Sequence, residues 1–149
     1  MNDQRISVET RKVELTLSNG SQLIGETFLQ LHGEYLSGLQ TVGEILNSED
    51  NFLPLRYDGK VELINLEQVV SVSVSAEEEF DPLLALGEEH QLWIEPTVGP
   101  PLDVHVFVNL PGGRNRVKDF LNQKCRFLLF LHEKQIVYLA RNRILRVQD

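Results

Sequence analysis

Cysteine, methionine and tryptophan each occur once in this 149-residue sequence, and aromatic residues make up only 7% of it. The lone cysteine, Cys125, cannot form an internal disulfide, which suits a reduced, buried thiol in a cytoplasmic protein. The sequence identifies no activator that would make it a nucleophile. No apolar run approaches the roughly 20 residues of a membrane helix. The opening "MNDQRISVETRKVEL" has no apolar signal core, so export by that route is not expected. There is no Walker loop, dinucleotide fingerprint or serine elbow. His32, His90, His105 and His132 show no metal-ligand spacing; His132-Glu133 begins like a zincin motif, but "KQI" follows. Consecutive acids such as Glu77, Glu78 and Glu79 are ordinarily solvated, and no desolvated acid–base pair stands out. The sequence therefore assigns no catalytic residue, no metal ligand and no cofactor, and the expectation is not an enzyme.

What remains is 42% apolar and 24% charged, the composition of a globular chain. A chain of this length forms one domain that buries about 70% of its unfolded surface, or two small ones that lean on each other. The net charge of -8 hides an asymmetry. Residues 1–90 hold 5 Lys/Arg against 17 Asp/Glu, a net of -12, whereas residues 91–149 hold 9 against 5, a net of +4. Opposed charges favour attraction between the two parts, or between the back of one molecule and the front of another.

Sliding the sequence against itself by 75 positions aligns residues 42–72 with 117–147 without a gap. Val42/Val117, Leu46/Leu121, Asn47/Asn122, Phe52/Phe127, Leu53/Leu128 and Val72/Val147 are identical. Seven further pairs, among them Val61/Ile136 and Leu63/Tyr138, exchange one apolar residue for another. Chance gives roughly two identities in such a window and does not preserve the apolar pattern, so a duplication is favoured. On that reading Phe52/Phe127 and Leu53/Leu128 fill equivalent places in two related cores, and Asn47 and Asn122 satisfy backbone groups at turns.

Each copy reads as the same series of elements. "KVELTLSNGSQLIGETFLQL" alternates at Val13, Leu15 and Leu17 and turns at Asn-Gly; "LDVHVFVNL" alternates at Val104, Val106 and Val108 and ends at "PGG". "TVGEILN" and "RVKDFLN" have helical spacing, with Glu44 and Asp119 in the first turn, where a carboxylate suits the helix dipole. Then come "NFLPL" and "RFLLFL", "KVELINL" and "QIVYLAR", "QVVSVSV" and "RILRVQ", all short and rich in strand formers. The expected fold is mainly β: a first β-rich repeat over 12–75, an acidic connection over 76–90 and a second repeat over 91–149. Each repeat is a small barrel or curled sheet with one short helix, and the two make a pseudo-symmetric body. Such sheets usually curl or close to protect their edges. In the connection, Phe80, Leu83, Leu84 and Leu86 are expected to pack on the repeats, and "PLLAL" to form a short turn.

The first copy resembles the opening of Sm-like small β-barrels, an SH3-like architecture, in Gly20, "SQLI", Gly25 and the apolar residues leading to Phe28. "LINLEQVVSVSV" is similar to the closing strands of those barrels. Their Asp and Met-Asn RNA-binding loop has no counterpart in "LHGEYLSGLQ", and the second copy has "VGPPLDVHVF" in place of the two-glycine signal. The "LN…FLPL" pattern is similar to uncharacterised bacterial domains of no assigned activity. The resemblance implies a fold; RNA binding does not follow from fold alone.

Arg114, Arg116 and Lys118 cluster after "PGG", and Arg141, Arg143 and Arg146 cluster later. With Arg141 and Arg143 two apart on a strand-like stretch, these residues form a possible anion-binding patch for phosphate or carboxylate groups. The leading expectation is a non-catalytic interaction module that offers sheet edges to a protein partner or to itself, with no membrane role. The alternative is a nucleic-acid-binding barrel that uses the basic second copy. An acidic chain whose Phe107, Phe127, Phe130 and Tyr138 fall on core-like positions fits that alternative less well.

Overall fold

The computed structural model describes residues 8–30 and 40–149; His32 and most of "LHGEYLSGLQ" lie outside them. The first half opens with a hairpin of β1 (Val8–Leu17) and β2 (Gln22–Gln30), joined through the Asn-Gly turn where Gly20 takes a φ of 89°. Alternation puts Val13 and Leu15 of β1 and Leu29 of β2 into the core. Gly25 lies against the next strand so closely that a Cβ would stand 2.6 Å from the Arg56 carbonyl oxygen. Helix α1 (Val42–Leu46) starts with a capping box in which Thr41 and Glu44 satisfy each other's main-chain amides. Strands β3 (Phe52–Tyr57) and β4 (Lys60–Asn65) form a second hairpin through Asp58-Gly59, both at positive φ. A 3-10 turn at Leu66–Gln68 leads to β5 (Val69–Ser75).

Helix α2 (Ala76–Glu79) and a 3-10 turn (Pro82–Leu86) connect to the second half. There β6 (Glu88–Pro96) and β7 (Leu102–Val108) precede the 3-10 turn Pro111–Gly113 and helix α3 (Val117–Leu121). Strands β8 (Phe127–His132) and β9 (Gln135–Ala140), the 3-10 turn Arg141–Arg143 and β10 (Ile144–Gln148) complete it. Apart from the 3-10 turn Pro111–Gly113 before α3, each half thus runs strand, strand, helix, strand, strand, 3-10 turn, strand among the described residues.

The ten strands among the described residues pair antiparallel in one sheet, in the order β10-β6-β7-β8-β9-β5-β1-β2-β3-β4. Each half contributes its fifth, first, second, third and fourth strands in that order. The sheet does not close into a barrel. Among the described residues strand β4 ends one side and β10 the other, so of the barrel or curled sheet expected for each half the closed barrel is not formed. The reason is visible at the centre, where β9 pairs with β5 and the fourth strand of one half thereby meets the fifth strand of the other.

The connection also departs from expectation. Phe80 packs against the core, but Leu83, Leu84 and Leu86 are exposed on the 3-10 turn. Strand β6 begins at Glu88, inside the stretch expected to be connection. Among the described residues no helix is long and apolar enough to cross a membrane.

Candidate interaction surface

Strands β8 and β9 are buried on both faces because each face serves a different core. Phe127, Leu131, Ile136, Tyr138 and Ala140 point into the first half's core with Val42, Leu46, Val72 and Val74. The alternate residues Leu128, Phe130, Val137 and Leu139 fill the second half's core with Ile94, Val106 and Phe120. Strand β5 meets β9 in the register Ser71↔Leu139, Val72↔Tyr138, Ser73↔Val137, Val74↔Ile136 and Ser75↔Gln135.

Polar groups fasten the same junction. The Asn47 amide clasps the main chain of Phe127: its Nδ2 donates to the Phe127 carbonyl at 3.1 Å, and its Oδ1 accepts from the Phe127 N–H at 2.8 Å. Asn47 sits at the end of α1 with φ of -100°, so its value lies in this reach across the molecule and not in tolerating a left-handed turn. Arg126 donates to the Asp50 carbonyl, and Arg143 donates to the Glu67 carbonyl and the Gln68 side chain.

Glu79, expected among solvated acids, is buried. Its carboxylate accepts from Arg11 at 2.7 Å, from the main-chain amides of Val42 and Gly43 at 2.8 and 3.4 Å, and from the Tyr138 hydroxyl. A buried carboxylate needs such a set of donors. Burial pushes the Tyr138 phenol far above its usual range, and the negative Glu79 beside it adds to the rise. Gly43 leaves room for this ring, since a Cβ there would stand 2.7 Å from Tyr138 Cε1. The arrangement seals α1, the connection and β9 together.

No family model, curated protein or solved structure matches this chain. Its functional reading rests on its own geometry.

The six basic residues expected to form a patch are placed as follows. Arg114 donates to the Pro111 carbonyl, and Arg116 pairs with Asp119 through two hydrogen bonds. That pairing holds the Asp119 carboxyl below its ordinary value and raises the Arg116 guanidinium. Lys118 is exposed on α3 and lines an open cavity of about 510 Å³ with His90, Asn115 and Arg116. Arg141 and Arg143 lie in a 3-10 turn, not on a strand, so strand alternation does not set their directions. Arg141 donates to the Cys125 carbonyl, Arg143 crosses to the first half, and Arg146 pairs with Glu95 while lying over the Trp93 ring. Burial raises the Cys125 thiol against the opposing pull of Arg141. Among the described residues no three His, Cys, Asp or Glu side chains group as metal ligands.

The sequence leads to an expectation of sheet edges on offer but not to the residues that form them. Strand β4 exposes Val61 and Leu63, with Phe52 and Pro54 beside them on β3, and β10 exposes Leu145. Phe52 and Phe127 do not fill equivalent core places: Phe127 is buried and Phe52 is exposed. Leu53 and Leu128, by contrast, are both buried.

Proposed function

We propose that this chain is a non-catalytic assembly module, built from two tandem copies of one five-strand unit and working through the open ends of its sheet. One observation carries the reading: among the described residues a ten-stranded sheet ends in two strands that lack an outer neighbour, and apolar side chains stand exposed on them, Val61 and Leu63 on β4 and Leu145 on β10. Unpaired strand edges are templates for another strand, and exposed apolar residues on them supply the affinity. The repeated order of elements and the 75-residue offset support the duplication, and the Gly20 to Gly25 spacing supports an Sm-like origin for the unit. The nucleic-acid alternative is less well supported, because Arg116, Arg141, Arg143 and Arg146 already hold partners within the chain.

Light scattering at low and high salt, followed by a column run with mixed RNA and single-stranded DNA, tests the reading. The expected result is association that weakens with salt, as exposed charges are screened beyond about 8–10 Å near physiological ionic strength, and that ignores nucleic acid. Lysine at Val61, Leu63 and Leu145 together should abolish it. A monomer that co-elutes with RNA would overturn the reading in favour of the basic second half.

A further inference from the structure

Resting on that reading, we propose that the partner is a second copy of the same chain, bound head to tail by pairing β4 of one molecule with β10 of the next. The template lies inside the molecule. At the β5·β9 junction, the fifth strand of the first half meets the fourth strand of the second. The free ends, β10 and β4, are the fifth strand of the second half and the fourth strand of the first. They are the same two kinds of edge, left over.

The 75-residue correspondence turns this into residues. Several side chains buried beside the internal junction have counterparts at a free end that are exposed, although Leu139 and its counterpart Ile64 are both buried. Phe127 is 1% exposed and Phe52 51%; Ile136 is 0% and Val61 57%; Tyr138 is 4% and Leu63 67%. On the other edge, Val70 is buried and its counterpart Leu145 exposed. The asparagines follow the same rule. Asn47 clasps the Phe127 main chain, whereas its identical counterpart Asn122 turns back to the Lys118 carbonyl of its own helix at 2.8 Å. Among the described residues no side chain bonds the main chain of Phe52. A second molecule brings Asn122 to Phe52 as Asn47 is brought to Phe127, and seats Phe52, Val61 and Leu63 against α3 and β10 of its neighbour.

The register follows by adding 75 to the β5 partners and subtracting 75 from the β9 partners. Ser71↔Leu139, Val72↔Tyr138 and Ser73↔Val137 become Arg146↔Ile64, Val147↔Leu63 and Gln148↔Glu62 between molecules. Charge agrees with this direction, since the contact sets the acidic first half of one molecule against the basic second half of the next. A head-to-tail contact leaves a free edge at each end of the pair, so it repeats until a ring closes or a filament grows.

Two measurements test the proposal. In a Cys125→Ser background, a chain carrying only Glu62→Cys is mixed with one carrying only Gln148→Cys under mild oxidation. Directly opposed strand residues lie within disulfide range, so the mixture should form a covalent dimer at least tenfold faster than either chain alone. The second measurement mixes Leu63→Lys, which blocks β4, with Leu145→Lys, which blocks β10. Each should be monomeric alone, and the mixture should stop at one-to-one pairs, because only one compatible pair of edges remains. Asn122→Ala should weaken assembly of the otherwise unchanged chain by about tenfold.

Wild-type protein that stays monomeric at tens of micromolar and low salt would overturn the proposal, as would cross-linking no faster in the mixture than in either chain alone. If self-pairing fails while a purified strand-donating protein binds wild type but not the edge-blocked chains, this inference falls and the assembly-module reading stands.

Discussion

Glu79 and Tyr138 lie 59 residues apart in the chain and share one buried hydrogen bond. The phenol must stay protonated there, because ionising it would put a second negative charge beside the Glu79 carboxylate in a buried site. Its proton is therefore held more tightly in the folded chain than in the unfolded one, where a tyrosine titrates near 10. Linkage fixes the sign: the stabilisation is complete below that value and is lost as pH rises above it, since the unfolded chain then releases a proton that the folded chain keeps. Urea unfolding between pH 8 and pH 11 should show stability falling at alkaline pH by up to about 1.4 kcal/mol per pH unit from this group. Tyr138→Phe should flatten that slope relative to wild type. At pH 8 the same change should cost about 1.5–3 kcal/mol, the usual worth of a hydrogen bond to a charged group. An unchanged alkaline slope would place the phenol in water and contradict the buried site.

At the scale of elements, α1 and α3 are equivalent in position, length and terminal asparagine, yet only α1 has a strand of the other half at its end. Asn47→Ala removes both bonds to the Phe127 main chain and should destabilise the folded chain by about 1–3 kcal/mol. Asn122→Ala at an exposed helix end should change stability by less than about 0.5 kcal/mol in dilute solution. Denaturant midpoints of the two variants provide the comparison. Equal losses would mean that Asn47 acts on its own turn and not across the junction. The elements themselves were legible in the sequence. Alternation in "KVEL" and "LDVHVFV", the Asn-Gly and Pro-Gly-Gly turns and the acid in the first helical turn are local signals, and local chemistry reads out locally. The use of identical residues was not legible. Phe52 and Phe127 occupy the same place in the same motif, and only the order of strands decides which one has a neighbour. Glu79 looks like Glu77 and Glu78 until Arg11, 68 residues away, is placed beside it. Arg141 and Arg143 stand on a stretch that looks like a strand in sequence, although Ala140 ends β9 and a 3-10 turn follows, as Leu66–Gln68 follows β4.

For the molecule as a whole, the sharing of β8 and β9 between two cores decides how it unfolds. A chain with one core per half would unfold in two steps if the halves merely touched. Here the second half supplies Phe127, Leu131, Ile136 and Tyr138 to the first half's core, so that core is incomplete without strands that belong to the other half. Loss of the second half exposes this set and removes the outer neighbour of β5. One cooperative transition is therefore expected. It can be followed independently by fluorescence of the single tryptophan, Trp93, in the second half and by hydrogen exchange of the β1 and β2 amides in the first. Phe127→Ala is the discriminating change, since it deletes a buried aromatic that the second half contributes to the first half's core. It should destabilise by about 3–5 kcal/mol and lower both midpoints together. If the β1 and β2 amides open early while the Trp93 transition stays in place, the halves are energetically separate. The two-sided burial of β8 and β9 would then be contact without coupling.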